Sequence, residues 1–150
     1  MTSQRLVSLS VSDTEDIAAD IAKQIPNVCF IALYGDLGAG KTAFVRGLCR
    51  ELVPDARVSS PTYTVVNVYS SKTGRVNHFD MYRVTDEDSL ESVGFWDYLP
   101  TGVTVCEWSE NVPFALPEKY LEVRIERIGE TERSVEITLK GASRYADLGY

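Results

Sequence analysis

Residues 35–42 of this chain read Gly-Asp-Leu-Gly-Ala-Gly-Lys-Thr, which matches the phosphate-loop pattern G-x-x-x-x-G-K-[ST] at every position. Such a loop needs a buried strand before it and a helix after it. The apolar run at 28–33 directly precedes the loop, and residues 42–52 carry a helical apolar face that Pro54 ends. The sequence therefore predicts the strand, loop and helix of a nucleoside triphosphate site.

The loop also predicts which groups hold the nucleotide. Its glycines let the backbone curve around phosphates, while its N–H groups and the helix dipole attract negative charge. Lys41 is placed to reach the β- and γ-phosphates, and the Thr42 hydroxyl to ligate the Mg²⁺ that bridges them. We predict ATP, because the N-K-x-D base reader of guanine-specific proteins does not occur. The predicted contacts in this segment are Leu37, Gly38, Ala39, Gly40, Lys41, Thr42 and Ala43.

Two acids at strand ends are candidates for magnesium and the attacking water. Glu107 closes the apolar run 103–106, and Asp80 ends the strand predicted at 76–80. Ligands of open α/β folds bind at the carboxyl ends of strands. We therefore predict Glu107 and Asp80 as metal ligands and, with Lys41, as catalytic residues. The alternative is that each acid only begins a loop.

The neighbours of these acids have open roles. His78, the sole histidine, shares a strand face with Asp80, so it either orients Asp80 or a phosphate, or satisfies a local hydrogen bond. The hydroxyl-rich residues 60–63 form either a γ-phosphate sensor or a plain turn. Trp108 is either a core residue or a docking surface.

The order of elements predicts an α/β fold. Strand and helix patterns alternate up to residue 52, and hairpins follow. We expect one domain over residues 1–150, with a three-layer P-loop NTPase-like architecture and a mixed, partly parallel sheet. The predicted elements are a strand at 5–10, a helix from the capping box at 12–15 to about 24, strands at 65–69 and 76–80, an acidic helix at 86–92, a strand at 103–107 and a C-terminal hairpin turning at Gly129.

Charge and composition narrow the classes of partner. The formal net charge is −7 and no basic stripe occurs, which argues against direct nucleic-acid binding. No apolar run reaches membrane-spanning length, and the first residues lack a basic-then-apolar secretory signal. The three cysteines lie far apart in apolar segments, which favours buried reduced thiols. We expect a cytoplasmic protein without membrane contact.

Four ordered motifs together resemble the TsaE (YjeE) family of small bacterial ATPases, which is required for threonylcarbamoyladenosine modification of tRNA. They are the loop at 35–42, Ser-Pro-Thr-Tyr at 60–63, His-Phe-Asp-Met-Tyr-Arg at 78–83 and Glu-Trp-Ser-Glu at 107–110. The phosphate loop alone is common to many families, whereas the ordered set is specific. The resemblance covers most of the chain.

The resemblance implies an ATPase with weak activity alone. It would join two partner subunits with sugar-kinase-like folds, which transfer the threonylcarbamoyl group to adenosine 37 of tRNAs reading codons that begin with A. ATP binding and hydrolysis would drive assembly or reset the complex. The resemblance also places nucleotide contacts at Thr14 and Arg133. It leaves open whether His78, Tyr82, Arg83 and Trp108 serve catalysis or partner docking.

Two other functions share the phosphate loop. A small-molecule kinase has the same loop and size, but such kinases generally need several arginines on a mobile lid. Between the 60s loop and Glu107 only Arg75 and Arg83 occur. The other alternative is a module in which nucleotide gates partner binding without hydrolysis, and this would not require Glu107.

Overall fold

A computed structural model describes residues 2–62 and 64–149. Tyr63, named above in the hydroxyl-rich loop, lies outside the described residues. In chain order the elements are β1 (Thr2–Ser8), α1 (Val11–Ala22), β2 (Cys29–Tyr34), α2 (Lys41–Leu52), β3 (Val66–Ser70), β4 (Arg75–Asp80), α3 (Glu87–Ser92), α4 (Phe95–Tyr98), β5 (Val103–Glu107), β6 (Tyr120–Arg127) and β7 (Arg133–Lys140).

The described strands form one sheet in the order β1-β7-β6-β2-β5-β4-β3. The central strand β2 pairs in parallel with β5 and β6, and β4 pairs in parallel with β5. The outer pairs β1–β7, β6–β7 and β3–β4 are antiparallel. The predicted mixed, partly parallel α/β fold is therefore confirmed.

Both faces of β2 are covered, which explains its continuous apolar sequence. Ile31 and Leu33 point into one core with Phe44 and Leu48 of α2, while the alternate residue Phe30 packs in a second core. Helices α1 and α2 cover the first face, and α3 and α4 contribute to the second. The sheet is thus the middle layer of three.

The first helix begins earlier than its sequence pattern predicted. Ser10 is the N-cap, and its hydroxyl accepts a hydrogen bond from the Asp13 N–H, so the capping box predicted at 12–15 was wrong. The Asp13 carboxylate in turn accepts a hydrogen bond from the Leu9 N–H. Because Ser10 serves as the cap, β1 ends at Ser8 rather than at residue 10.

Among residues 2–62 and 64–149, no helix has the length and apolar character that crossing a membrane requires.

Candidate nucleotide site

The phosphate loop connects the end of β2 to the start of α2. Gly40 is the N-cap of α2 with φ 113°, a left-handed conformation that favours glycine. A Cβ on Gly35 would lie 2.7 Å from the Ile125 carbonyl oxygen, so the loop passes too close to β6 for a larger residue there. No side chain caps α2, so its first N–H groups have no side-chain acceptor, and the residues of its first turn line the cavity beside the loop.

A cavity of about 510 Å³ opens beside this loop. It collects residues from the β1–α1 connection, α1, the phosphate loop, α2, the α2–β3 connection, the ends of β4 and β5, and the β6–β7 hairpin. Ten of the predicted site residues line it: Thr14, Leu37, Gly38, Gly40, Lys41, Thr42, Ala43, Asp80, Glu107 and Arg133. Ala39 is buried and does not line the cavity. The structure therefore brings together residues that are up to 119 positions apart, from Thr14 to Arg133.

The two predicted acids lie side by side, and both line this cavity. Asp80 and Glu107 are register partners on the parallel strands β4 and β5, and both are buried. The Asp80 carboxylate accepts hydrogen bonds from the Tyr82 N–H at 2.9 Å and from the Thr62 hydroxyl at 3.2 Å. Thr62 also bonds the Ser60 hydroxyl at 2.8 Å. The hydroxyl-rich loop thus contacts an acid of the site.

Glu107 connects Lys41 with His78. Its Oε1 lies 3.7 Å from the Lys41 Nζ, and its Oε2 bonds the His78 Nε2. Sequence reasoning placed His78 next to Asp80 or a phosphate, or in a local hydrogen bond. Its partner is instead Glu107 on the neighbouring strand, 29 positions away.

Lys41 is a buried cation without a hydrogen-bond acceptor. Its side chain is 6% exposed, and the Nζ has no hydrogen-bond partner among the described residues. The Nζ lies 4.3 Å from the centroid of the Trp108 ring, a cation–π distance. Buried ammonium groups normally find acceptors. Phosphate oxygens in the adjoining cavity would supply them.

Strained backbone flanks the acid pair. Val65 and Trp108 are the non-glycine residues with positive φ in the described chain, at 69° and 60°. The Val65 carbonyl accepts a hydrogen bond from the Asp80 N–H at 2.8 Å, and Trp108 directly follows Glu107. A non-glycine residue in this conformation costs about 1–3 kcal/mol, and such residues cluster at functional sites.

Arg133 and Thr14, the two nucleotide contacts that the family resemblance implied, are held differently. The Arg133 guanidinium donates to the carbonyls of Ala39 at 3.0 Å and Gly38 at 3.4 Å, so it ties the β6–β7 connection to the phosphate loop. The Thr14 hydroxyl shares a 2.7 Å hydrogen bond with the Ser8 hydroxyl and is buried. Arg133 is therefore in direct contact with the loop, whereas Thr14 forms part of the cavity wall.

Oxygen donors at the site suit magnesium. Thr42 supplies a hydroxyl, and Asp80 and Glu107 supply carboxylates, the hard ligands that Mg²⁺ prefers. Within 2–62 and 64–149, no group of three His, Cys, Asp or Glu side chains forms a metal cluster. Mg²⁺ is usually bound in proteins through one or two carboxylates plus phosphate and water.

Sequence reasoning missed several residues that line the cavity. They come from the β1–α1 connection, α1, α2 and the β6–β7 connection: Leu9, Ser10, Val11, Arg46, Glu130 and Thr131. Arg46 lies one helical turn after Thr42, so the predicted helix could have indicated it. No local pattern marks the other five, because their proximity to the phosphate loop depends on the position of β1 and β7 in the sheet.

Comparison with known proteins identifies the family. The family described as threonylcarbamoyl adenosine biosynthesis protein TsaE matches residues 8–135. The chain belongs to the TsaE family. Membership supports a role in tRNA threonylcarbamoyladenosine biosynthesis, and it confirms the resemblance that the four sequence motifs indicated.

Individual relatives agree with this TsaE-family membership. The chain is 39% identical over 108 residues to the tRNA threonylcarbamoyladenosine biosynthesis protein TsaE of Haemophilus influenzae, covering 71% of this chain and 68% of that protein. It is 38% identical over 136 residues to the protein of the same name from Aquifex aeolicus, covering 87% and 92%. The crystal structure of Bacillus subtilis YdiB is similar with a TM-score of 0.77 and 27% identity, over 93% of this chain and 87% of that one.

Proposed function

We propose that this protein is the ATP-binding and ATP-hydrolysing component of tRNA threonylcarbamoyladenosine biosynthesis. The single observation that carries the ATP part is Lys41, a buried cation that faces the cavity and has no hydrogen-bond acceptor. A triphosphate would supply the acceptors that this ammonium lacks. The pathway follows from membership of the TsaE family.

Each group at the site has a task in this proposal. Lys41 and the N–H groups at the start of α2 bind the phosphates, and Arg133 fixes the loop that presents those groups. Thr42, Glu107 and Asp80 hold Mg²⁺, which when bound neutralises the charge that develops on the phosphates. Asp80 also orients the attacking water, because the Thr62 hydroxyl and the Tyr82 N–H fix its carboxylate.

The proposal extends to partners. Residues 1–150 act as one cytoplasmic ATPase domain that binds two subunits of the threonylcarbamoyl-transfer complex, both with sugar-kinase-like folds. Those subunits modify adenosine 37 of tRNAs reading ANN codons, and ATP binding and hydrolysis reset the complex between turnovers. The net charge of −7 favours protein partners over direct contact with tRNA.

ATP turnover with and without the two purified partner subunits tests the proposal. We expect slow hydrolysis alone and faster hydrolysis with the partners. Lys41→Ala should lose nucleotide binding, and Glu107→Gln should keep binding while losing hydrolysis. The matched controls Lys72→Ala and Glu91→Gln change exposed residues of the same types away from the cavity and should behave as wild type. Binding without any hydrolysis, or partners that neither bind nor alter turnover, would contradict the proposal.

A further inference from the structure

One buried side chain at the site has no task in the proposed function. His78 is fully buried on β4, and its Nε2 is hydrogen-bonded to the Glu107 Oε2. Because a carboxylate oxygen accepts, the Nε2 is the donor and carries the proton. The opposite ring nitrogen, Nδ1, has no hydrogen-bond partner among the described residues.

The register of the sheet explains how this contact forms. On the parallel strands β4 and β5, Asp80 is the partner of Glu107, and His78 is the partner of Val105. His78 therefore lies two residues before Asp80 on the same face, next to the side chain of Glu107 but behind the acid pair. From there the imidazole reaches one carboxylate oxygen and does not line the cavity.

The hydrogen bond between His78 and Glu107 determines which oxygen of Glu107 faces a ligand. With Oε2 held by His78, Oε1 is the oxygen left on the side of Lys41, at 3.7 Å from its Nζ. A glutamate side chain without that anchor has three torsions with which to turn both oxygens toward the ammonium. The hydrogen bond from His78 keeps Glu107 from forming a closer ion pair with Lys41. Glu107 therefore stays available to a metal ion, and Lys41 to phosphate.

The unpartnered Nδ1 argues against a purely structural histidine. Leaving a buried polar atom unsatisfied costs about 1–3 kcal/mol, and an apolar side chain at this position would avoid that cost. The one bond that the imidazole makes is therefore the reason for a histidine here, and that bond ends on the proposed metal ligand.

We propose that His78 is the positioning residue of Glu107: it holds one carboxylate oxygen so that the other is oriented for the metal that accompanies ATP. This inference rests on the proposed function. Groups that orient a metal ligand in this way typically change metal affinity about 10–100-fold when removed.

Three variants test the anchor. His78→Gln places an amide N–H near the position of Nε2, His78→Asn carries the same amide on a shorter chain that falls short of Glu107, and His78→Leu removes the donor. Mn²⁺ serves as the metal probe. Its free concentration is followed by electron paramagnetic resonance in the presence of saturating non-hydrolysable ATP analogue, and the affinity for the same analogue is measured separately in EDTA.

We expect His78→Leu and His78→Asn to weaken Mn²⁺ binding about 10–100-fold, with His78→Gln remaining close to wild type. Affinity for the analogue in EDTA should be unchanged in all three, which also shows that each variant is folded. If His78→Leu fails to fold, the difference in Mn²⁺ affinity between His78→Gln and His78→Asn tests the inference. Wild-type Mn²⁺ affinity in His78→Asn, or equal losses in Gln and Asn, would overturn the inference.

A parallel Glu107→Gln variant separates the two proposals. If that variant loses Mn²⁺ affinity while all His78 variants bind as wild type, the role of His78 is wrong and the proposed function stands. If the wild type binds neither the analogue nor Mn²⁺, both proposals are wrong.

Discussion

Replacing Lys41 by methionine and Glu107 by glutamine together should make the nucleotide-free protein more stable, while abolishing its response to ATP. Both side chains are almost fully buried, and their charged atoms are 3.7 Å apart, too far for a hydrogen bond. The pair is thus kept from water without the close geometry that would offset its desolvation.

The magnitude follows from that distance. Coulomb's law at 3.7 Å with an effective dielectric constant of about 20 gives an attraction of about 4 kcal/mol. Desolvation costs several kcal/mol for each ion, so the total desolvation free energy of the two ions exceeds their Coulombic attraction. Neutralising both should raise the free energy of unfolding by about 1–3 kcal/mol, because the glutamine at position 107 still accepts a hydrogen bond from His78.

Urea denaturation of wild type, both single variants and the double variant provides the assay. We expect the double variant to be the most stable, with a coupling energy of about 4 kcal/mol across the cycle, since each single change leaves one buried charge uncompensated. Saturating ATP with Mg²⁺ should stabilise the wild type and not the double variant. A double variant less stable than the nucleotide-free wild type would contradict this prediction.

Three further predictions concern helix packing at Gly47, the fluorescence of Trp108 and the buried cysteine thiols. Gly47→Ala should lower the free energy of unfolding by about 1–3 kcal/mol in urea denaturation, because the new Cβ would lie 2.2 Å from the Glu15 carbonyl oxygen of α1; an unchanged midpoint would contradict this. The Trp96→Phe variant keeps Trp108 as its only tryptophan. ATP should change the fluorescence intensity of Trp108 in this variant, because Lys41 would move from the indole ring to the phosphates. Constant fluorescence at saturating ATP would contradict this prediction. Burial raises the pKa of each of the three cysteine thiols from 9.0 to about 12, so a thiol reagent at pH 8 should label them only after denaturation. The free energy of unfolding should fall as the pH rises from 9 toward 12, because the unfolded chain releases these protons at a lower pH than the folded chain. Rapid labelling of the native protein would contradict this prediction.

Sequence could predict the parts of the site that local patterns encode. The phosphate loop has a fixed spacing of glycines, lysine and threonine, and Glu107 follows a compact apolar strand. Both patterns depend on neighbours within a few residues. The strands at 103–107 and 76–80, and the C-terminal hairpin, were likewise visible from apolar runs and alternation.

Other features depend on contacts between distant segments. Nothing near His78 in the chain indicates that its partner is Glu107, because that contact requires β4 and β5 to be adjacent, parallel and in one register. The cation–π contact between Lys41 and Trp108 likewise joins residues 67 positions apart, and no local pattern predicted the left-handed backbone of Trp108. The start of α1 was misjudged for a local reason, since Ser10 and Ser12 are both chemically able to cap the helix.

A crystal structure with a non-hydrolysable ATP analogue and Mn²⁺, with the metal located by its anomalous signal, would test the proposed nucleotide site directly. We predict phosphates beside Lys41 and an Mn²⁺ peak within coordination distance of the Thr42 hydroxyl and the Glu107 carboxylate. Phosphates in the separate cavity lined by Arg124 and Arg127, or a metal peak away from Thr42 and Glu107, would contradict the proposed nucleotide and metal site.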